Sequence, residues 1–227
     1  MRNSRIEVAP IAGACGAELH GVDLVEAIDD DGAIAEIRQA LLDHCVIFFR
    51  DQALEPPLGA ILHALEVPPH GGDTMFASQY AAYDALSDGM KAMLGKMRAV
   101  HSDRKVAGPK AGMNATRSTK VREDDAWRET VNIHPVVRTH PETKRKLLFV
   151  NASYTIGFED MTEAESKPLL DYLLEHSHRP EFTCRFRWQP GSIAFWDNRC
   201  TKHIAVHDAG PFRRLMRRVQ IVGDRPY

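Results

Sequence analysis

The chain has 227 residues, 44% of them hydrophobic and 26% charged, with a net charge of -2 and four cysteines. That length and apolar content suit one substantial core. So balanced a charge gives no electrostatic reason to expect nucleic acid or an anionic membrane surface as a partner. The N-terminal "MRNSRIEVAP" lacks the apolar run of a signal peptide, and no run reaches membrane-spanning length. A cytoplasmic protein is expected. Cys15, Cys45, Cys184 and Cys200 form no C-x-x-C pair. They read as reduced small hydrophobes, not as a disulfide frame or a thiolate zinc site.

Along the chain, "RIEVAPIAGACGAELHGVDL" reads as β-rich, broken by glycines at 13, 16 and 21. Asp30, Asp31 and Gly32 lead into a helix with Ile34, Ile37, Leu41 and Leu42 on one face. "CVIFFR", from Cys45 to Arg50, is a continuous apolar run and reads as a buried strand. "AILHALEV" fits strand or helix. "PPHGGDT" is a turn, and "TMFAS" continues as strand. Ser87 caps a helix running through Met97. The polar stretch from His101 to Trp127 reads as a long excursion, of the kind that becomes a lid or stays disordered.

"HPVVRTHP" and "KLLFVN" are strand-like on either side of a turn at Glu142 to Lys144. Thr162 and Glu165 form a capping box ahead of Leu169, Leu170, Leu173 and Leu174. "FTCRFRW" alternates, with Phe182, Cys184, Phe186 and Trp188 on one face and Arg185 and Arg187 on the other. "GSIAFWD" and "RRLMRRVQIVG" complete a strand-rich C-terminal half. The expected fold is mainly β with flanking helices: a β-sandwich or a jelly roll of the double-stranded β-helix, cupin-like kind, in a single domain spanning residues 1–227.

Read as a strand, "RRLMRRVQI" puts Arg214, Met216, Arg218 and Gln220 on one face, and Leu215, Val219 and Ile221 on the other as sheet packing. Two arginines four apart in a strand lie roughly 13 Å apart. Such a pair suits two separate anions, each clamped by one guanidinium. An edge strand with solvated arginines explains the pattern equally well. His203 follows a strand end and a turn, from which a side chain can enter the mouth of a barrel, although lone histidines more often serve surface or hydrogen-bonding roles.

These residues also carry a resemblance. "WDNRCTKHIAVHD" with "GPFRRLMRRVQIVGDRP" resembles the C-terminal signature of the taurine dioxygenase family of iron(II)- and 2-oxoglutarate-dependent oxygenases. "GAELHGVDL", "CVIFFRDQAL", "PPHGGDTMFAS", "HPVVRTHPETKRKLLFVN" and "FRWQPGSIAFWDNR" resemble other family segments in the same order. The block from Trp196 to Arg218 is the specific one. The resemblance implies iron(II), 2-oxoglutarate and dioxygen, with iron held by two histidines and a carboxylate. His203 matches the last iron ligand. Thr74 and Arg214 match the pair that holds the far carboxylate of 2-oxoglutarate. Arg218 matches the arginine that holds a substrate sulfonate, and Tyr154 an aromatic near the substrate. The implied reaction hydroxylates a small anionic substrate next to its acid group, with taurine or another alkylsulfonate first, releasing sulfite, succinate and carbon dioxide. Alkyl sulfates and aryloxyalkanoates are the alternatives. The resemblance also implies a homo-oligomer, dimer or tetramer.

The family's His-x-Asp ligand pair has no counterpart where it is expected. "DQALEPPLGAIL" runs from Leu54 through Glu55 and Pro56 to Pro57 without a histidine or aspartate. "HSD" at His101 to Asp103 is a literal His-x-Asp, but it follows Thr74 whereas the family's pair precedes that threonine. His63 and His70 read as ordinary strand and turn histidines. Two readings of the junction stay open. Either a family segment is missing between Leu54 and Pro57, or the deletion is real and the chain is a metal-free, non-catalytic relative.

Overall fold

The computed structural model describes residues 6–27, 29–50, 61–106 and 128–219. In chain order its elements are β1 (Glu7–Pro10), β2 (Ala17–His20), α1 (Leu24–Ala27), α2 (Asp31–His44), β3 (Val46–Phe49), β4 (Ile61–Glu66), β5 (Thr74–Ser78), α3 (Gln79–Asp84), α4 (Asp88–Leu94), β6 (Arg98–Ser102), β7 (Val131–Pro135), β8 (Val137–Thr139), β9 (Lys146–Leu148), β10 (Thr155–Phe158), α5 (Glu163–Ser177), β11 (Thr183–Phe186), β12 (Ile193–Trp196), β13 (Thr201–Ala205) and β14 (Leu215–Val219). They form two compact units. The first comprises residues 6–81 and 178–219 and the second residues 82–177. The junction from Leu54 to Pro57 and most of the excursion before Trp127 lie outside the described residues.

The first unit is a jelly roll. Its larger sheet runs β1-β2-β3-β12-β4-β14, and its smaller one β11-β5-β13. All pairings are antiparallel except β2 with β3. Within "CVIFFR", Val46–Phe49 forms a strand buried along its whole length, as a continuous apolar run requires. "AILHALEV" resolves as strand β4. Aromatic rings fill the space between the sheets. Phe48 stacks on Phe186 at 3.9 Å and meets Phe76 edge-on at 5.6 Å, and Phe76 tilts against Trp196 at 5.6 Å. The alternation of "FTCRFRW" holds: Phe182, Cys184, Phe186 and Trp188 are buried while Arg185 and Arg187 are exposed. All four cysteines are buried thiols outside any disulfide.

Helix α2 begins as expected, with the Asp30 carboxylate accepting the Gly32 and Ala33 amides at 2.8 and 3.2 Å. Its buried stripe is Ile37, Ala40 and Leu41, but Ile34 in the first turn is 44% exposed.

In the second unit β6 pairs with β7 and β10, and β8 with β9 in a hairpin. The capping box of α5 forms. The Thr162 amide donates to Glu165 Oε2 at 2.8 Å, and the Glu165 amide to Thr162 Oγ1 at 3.3 Å. Ser87 caps α4 by accepting the Met90 amide at 3.3 Å. That helix stops at Leu94 and not at Met97. Its last turn tightens instead, with the Lys96 amide on Met93 O and the Met97 amide on Leu94 O.

Candidate active site

The candidates Thr74, His203, Arg214 and Arg218 all belong to the first unit. On β13, His203 lies opposite Phe76 of β5, and its ring is 4.7 Å from that of Trp196. The turn from Trp196 to Thr201 fixes this position. The Asp197 amide donates to Cys45 O at 3.0 Å, the Trp196 indole to Asn198 Oδ1 at 2.7 Å, and the Arg199 guanidinium grips the Asp197 carboxylate at 2.9 and 2.6 Å. Water reaches the His203 ring, yet protein atoms crowd its flanks. That crowding, with the Arg218 charge in second place, pushes its pKa down to about 4. The imidazole is neutral at physiological pH, the form in which it binds a metal.

Strand β14 brings two arginines to the same face. Arg218 lies over the Trp196 ring at 6.0 Å, and Arg214, just before the strand, over Trp188 at 5.7 Å. The opposite face is not sheet packing at its start. A register shift between Leu215 and Met216 passes over Leu65 on β4, so Leu215 is 38% exposed and Met216 half-buried.

Thr74 and Arg214, 140 positions apart in sequence, meet: Arg214 Nη2 donates to Thr74 Oγ1 at 3.3 Å. The Trp188 indole N–H donates to the same oxygen at 2.9 Å. Thr74 is almost wholly buried. Burial lowers the pKa of Arg214, and the nearby Asp73 charge partly offsets that. Arg214 Nε is buried with no partner among the described residues. A half-buried guanidinium whose Nε donor is buried and open is what an incoming carboxylate would satisfy. The residues present therefore fit the carboxylate of an oxo acid.

A brace that the sequence reading missed holds this turn. The Asp208 carboxylate accepts the Gly72 amide at 2.7 Å, and Arg185 bridges Asp73 at 2.7 Å and Asp208 at 3.2 Å. The hydrogen bond to Asp73 raises the Arg185 pKa, and the Gly72 amide lowers that of Asp208. Gly71 and Gly72 both have φ of +70°, and a Cβ on Gly71 would lie 2.6 Å from the Asp208 carbonyl oxygen. Only glycine tolerates that backbone and that approach. The sole sequence signals were the aspartates within "GGDT" and "VHDAG".

Tyr154 belongs to the second unit, where it is 44% exposed. Asp103 accepts the Thr130 amide at 3.0 Å, and the His101 ring packs on Phe149 at 5.4 Å, so "HSD" is engaged within that unit. His63 sits on β4 with its pKa lowered by burial and then by Arg217. His70 packs edge-on against Phe212 at 5.2 Å. Among the described residues no group of three potential metal ligands includes His203.

The jelly roll thus holds a histidine kept neutral by its surroundings and an arginine–threonine pair with an open donor. The chain belongs to the taurine catabolism dioxygenase TauD, TfdA family, whose model matches residues 53–220. It is 30% identical to an alpha-ketoglutarate-dependent sulfate ester dioxygenase of Pseudomonas putida, covering 97% of this chain and 91% of that protein. That alignment spans 275 positions, more than this chain contains, so part of the relative has no counterpart here. A taurine dioxygenase structure from Burkholderia xenovorans superposes with a TM-score of 0.80 at 33% identity, covering 98% of this chain and 91% of that one. The structure of AAD-2 in complex with Mn(II) and N-oxalylglycine gives a TM-score of 0.82 at 26% identity, covering 97% and 98%. No helix among the described residues is long and apolar enough to cross a membrane.

Proposed function

We propose that the chain is an iron(II)- and 2-oxoglutarate-dependent dioxygenase that hydroxylates a small anionic substrate next to its acid group. The observation that carries this reading is the Arg214–Thr74 pair with its unpartnered buried Nε donor. Arg214 and Thr74 hold the far carboxylate of 2-oxoglutarate by charge-assisted and hydroxyl hydrogen bonds. His203, neutral and reached by water, is the iron ligand that the described residues supply. Iron(II), when bound there, supplies the dioxygen chemistry that converts 2-oxoglutarate to succinate and carbon dioxide. Arg218 binds the anionic end of the substrate, and its place over Trp196 beside His203 orients that end toward the iron ligand. Hydroxylation of the carbon bearing a sulfonate gives an adduct that collapses to an aldehyde and sulfite.

Taurine or another alkylsulfonate is the first substrate class. Alkyl sulfates are the second, favoured by the sulfate ester dioxygenase that spans nearly the whole chain. A panel of taurine, a longer alkylsulfonate, an alkyl sulfate and an aryloxyacetate separates them, since these release sulfite, sulfite, sulfate and glyoxylate respectively. Sulfite release is the expected result. Sulfate release alone moves the assignment to sulfate esters, and no release from any compound removes the enzymatic reading.

A further inference from the structure

Thr74 Oγ1 already accepts two hydrogen bonds. A threonine hydroxyl has two lone pairs and one hydrogen. Trp188 Nε1–H and Arg214 Nη2–H engage the two lone pairs. Turning the hydroxyl hydrogen toward either nitrogen would set donor against donor. Among the described residues that hydrogen meets no acceptor, although Thr74 is almost wholly buried. It is left with the one remaining tetrahedral direction, as a donor awaiting an acceptor.

Trp188 is well placed to impose this. Its ring is buried and packs edge-on against Phe186 at 4.9 Å with an interplanar angle of 85°. Phe186 is in turn stacked on Phe48 in the core. The indole has a donor and no acceptor, so it cannot exchange roles with the hydroxyl. Arg214 likewise has only donors. Thr74 and Arg214 therefore offer an incoming group donors alone, while the nearby Asp73 carboxylate is held by Arg185 at 2.7 Å.

We infer that Trp188 is a positioning residue whose N–H fixes the Thr74 hydroxyl as a donor, and so commits the Arg214 pocket to a carboxylate over a neutral amide of the same shape. This rests on the oxo-acid reading above. A carboxylate has only acceptors, whereas the amide nitrogen would meet a donor hydrogen. Without the indole N–H, one lone pair of Thr74 is freed, and the hydroxyl can rotate to accept from an amide.

The test is isothermal titration of the full chain, with manganese(II) present, using N-oxalylglycine and N-oxalylglycinamide as probes. Wild-type protein is expected to prefer the carboxylate strongly. In Trp188→Phe, N-oxalylglycine binding is expected to weaken roughly tenfold, about the worth of one oriented hydrogen bond. N-oxalylglycinamide is expected to hold or gain, so the ratio between the probes collapses. In a Thr74→Val background, Trp188→Phe is expected to change the ratio no further, because Trp188 acts only through that hydroxyl. Should Trp188→Phe not fold, Thr74→Ser and Thr74→Val decide, with the ratio kept in the first and lost in the second. An unchanged ratio in Trp188→Phe, or in Thr74→Val, overturns the role of Trp188 while leaving the oxo-acid site standing. Wild-type protein that binds neither probe removes the oxo-acid reading, and this inference with it.

Discussion

Removing the Arg214 guanidinium isolates the anchor from everything else in the site. Arg214→Ala deletes the donor to Thr74 at 3.3 Å and the unpartnered Nε. A hydrogen bond to a charged group contributes about 1.5–3 kcal/mol, and truncating one partner of a buried charged pair costs about 2–5 kcal/mol. Arg214 is half-buried, so about 2–3 kcal/mol is the appropriate part of that range. At about 1.4 kcal/mol per decade, this weakens 2-oxoglutarate binding about 30- to 150-fold. The fold should hardly respond. The variant loses a weak cation–π contact with Trp188 and stem packing beside Gly72, but it relieves a desolvated charge with an open donor. These oppose each other to within about 1 kcal/mol, a shift of a few degrees in melting temperature. The assay is calorimetric titration of 2-oxoglutarate with a thermal melt of the same sample. A folded variant whose affinity stays within about threefold of wild type would refute the assignment of Arg214 to the anchor.

Arg218→Ala is expected to raise the KM of the primary substrate about tenfold or more while leaving 2-oxoglutarate affinity unchanged, because its guanidinium lies over Trp196 and not at Thr74; initial rates with each substrate varied in turn check the split. Gly71→Ala is expected to destabilise by about 1–3 kcal/mol, since the new Cβ meets Asp208 in a left-handed backbone; a denaturant titration unchanged from wild type would contradict the brace. The His203 ring is expected to titrate near pH 4 by NMR. Its pKa is depressed below the unfolded value of about 6.5, so the unfolded chain binds the extra proton between these limits. The stability this group contributes is complete above about pH 6.5 and is lost as pH falls toward 4. A midpoint at 6.5 would mean that neither crowding nor Arg218 acts on the ring.

Much of the jelly roll was legible because its strands obey simple periods. The apolar part of "CVIFFR" is buried throughout, and "FTCRFRW" alternates as read. The pairing of Thr74 with Arg214 was legible only through the family resemblance, since nothing local joins positions 140 apart, and the structure does bring them together. The brace was invisible for the same reason. Arg185 reads correctly as a solvent-side residue of β11, yet it bridges Asp73 and Asp208 from other parts of the chain. The periodicity of β14 misled at Leu215 because a register shift is a property of the pair of strands, not of one. Trp188 was legible as a buried ring but not as a donor, because periodicity gives the face a side chain occupies and not the direction of its polar atom.

The most direct test of the account is succinate formation from 2-oxoglutarate by the full chain, measured with and without iron(II) and with and without an alkylsulfonate, beside His203→Ala. Succinate that requires iron, rises with the anionic substrate and disappears in His203→Ala is the expected result. Background succinate under every condition, from folded protein that still binds N-oxalylglycine at Arg214, would contradict it and mark the chain as an anion-binding relative without the oxygenase reaction.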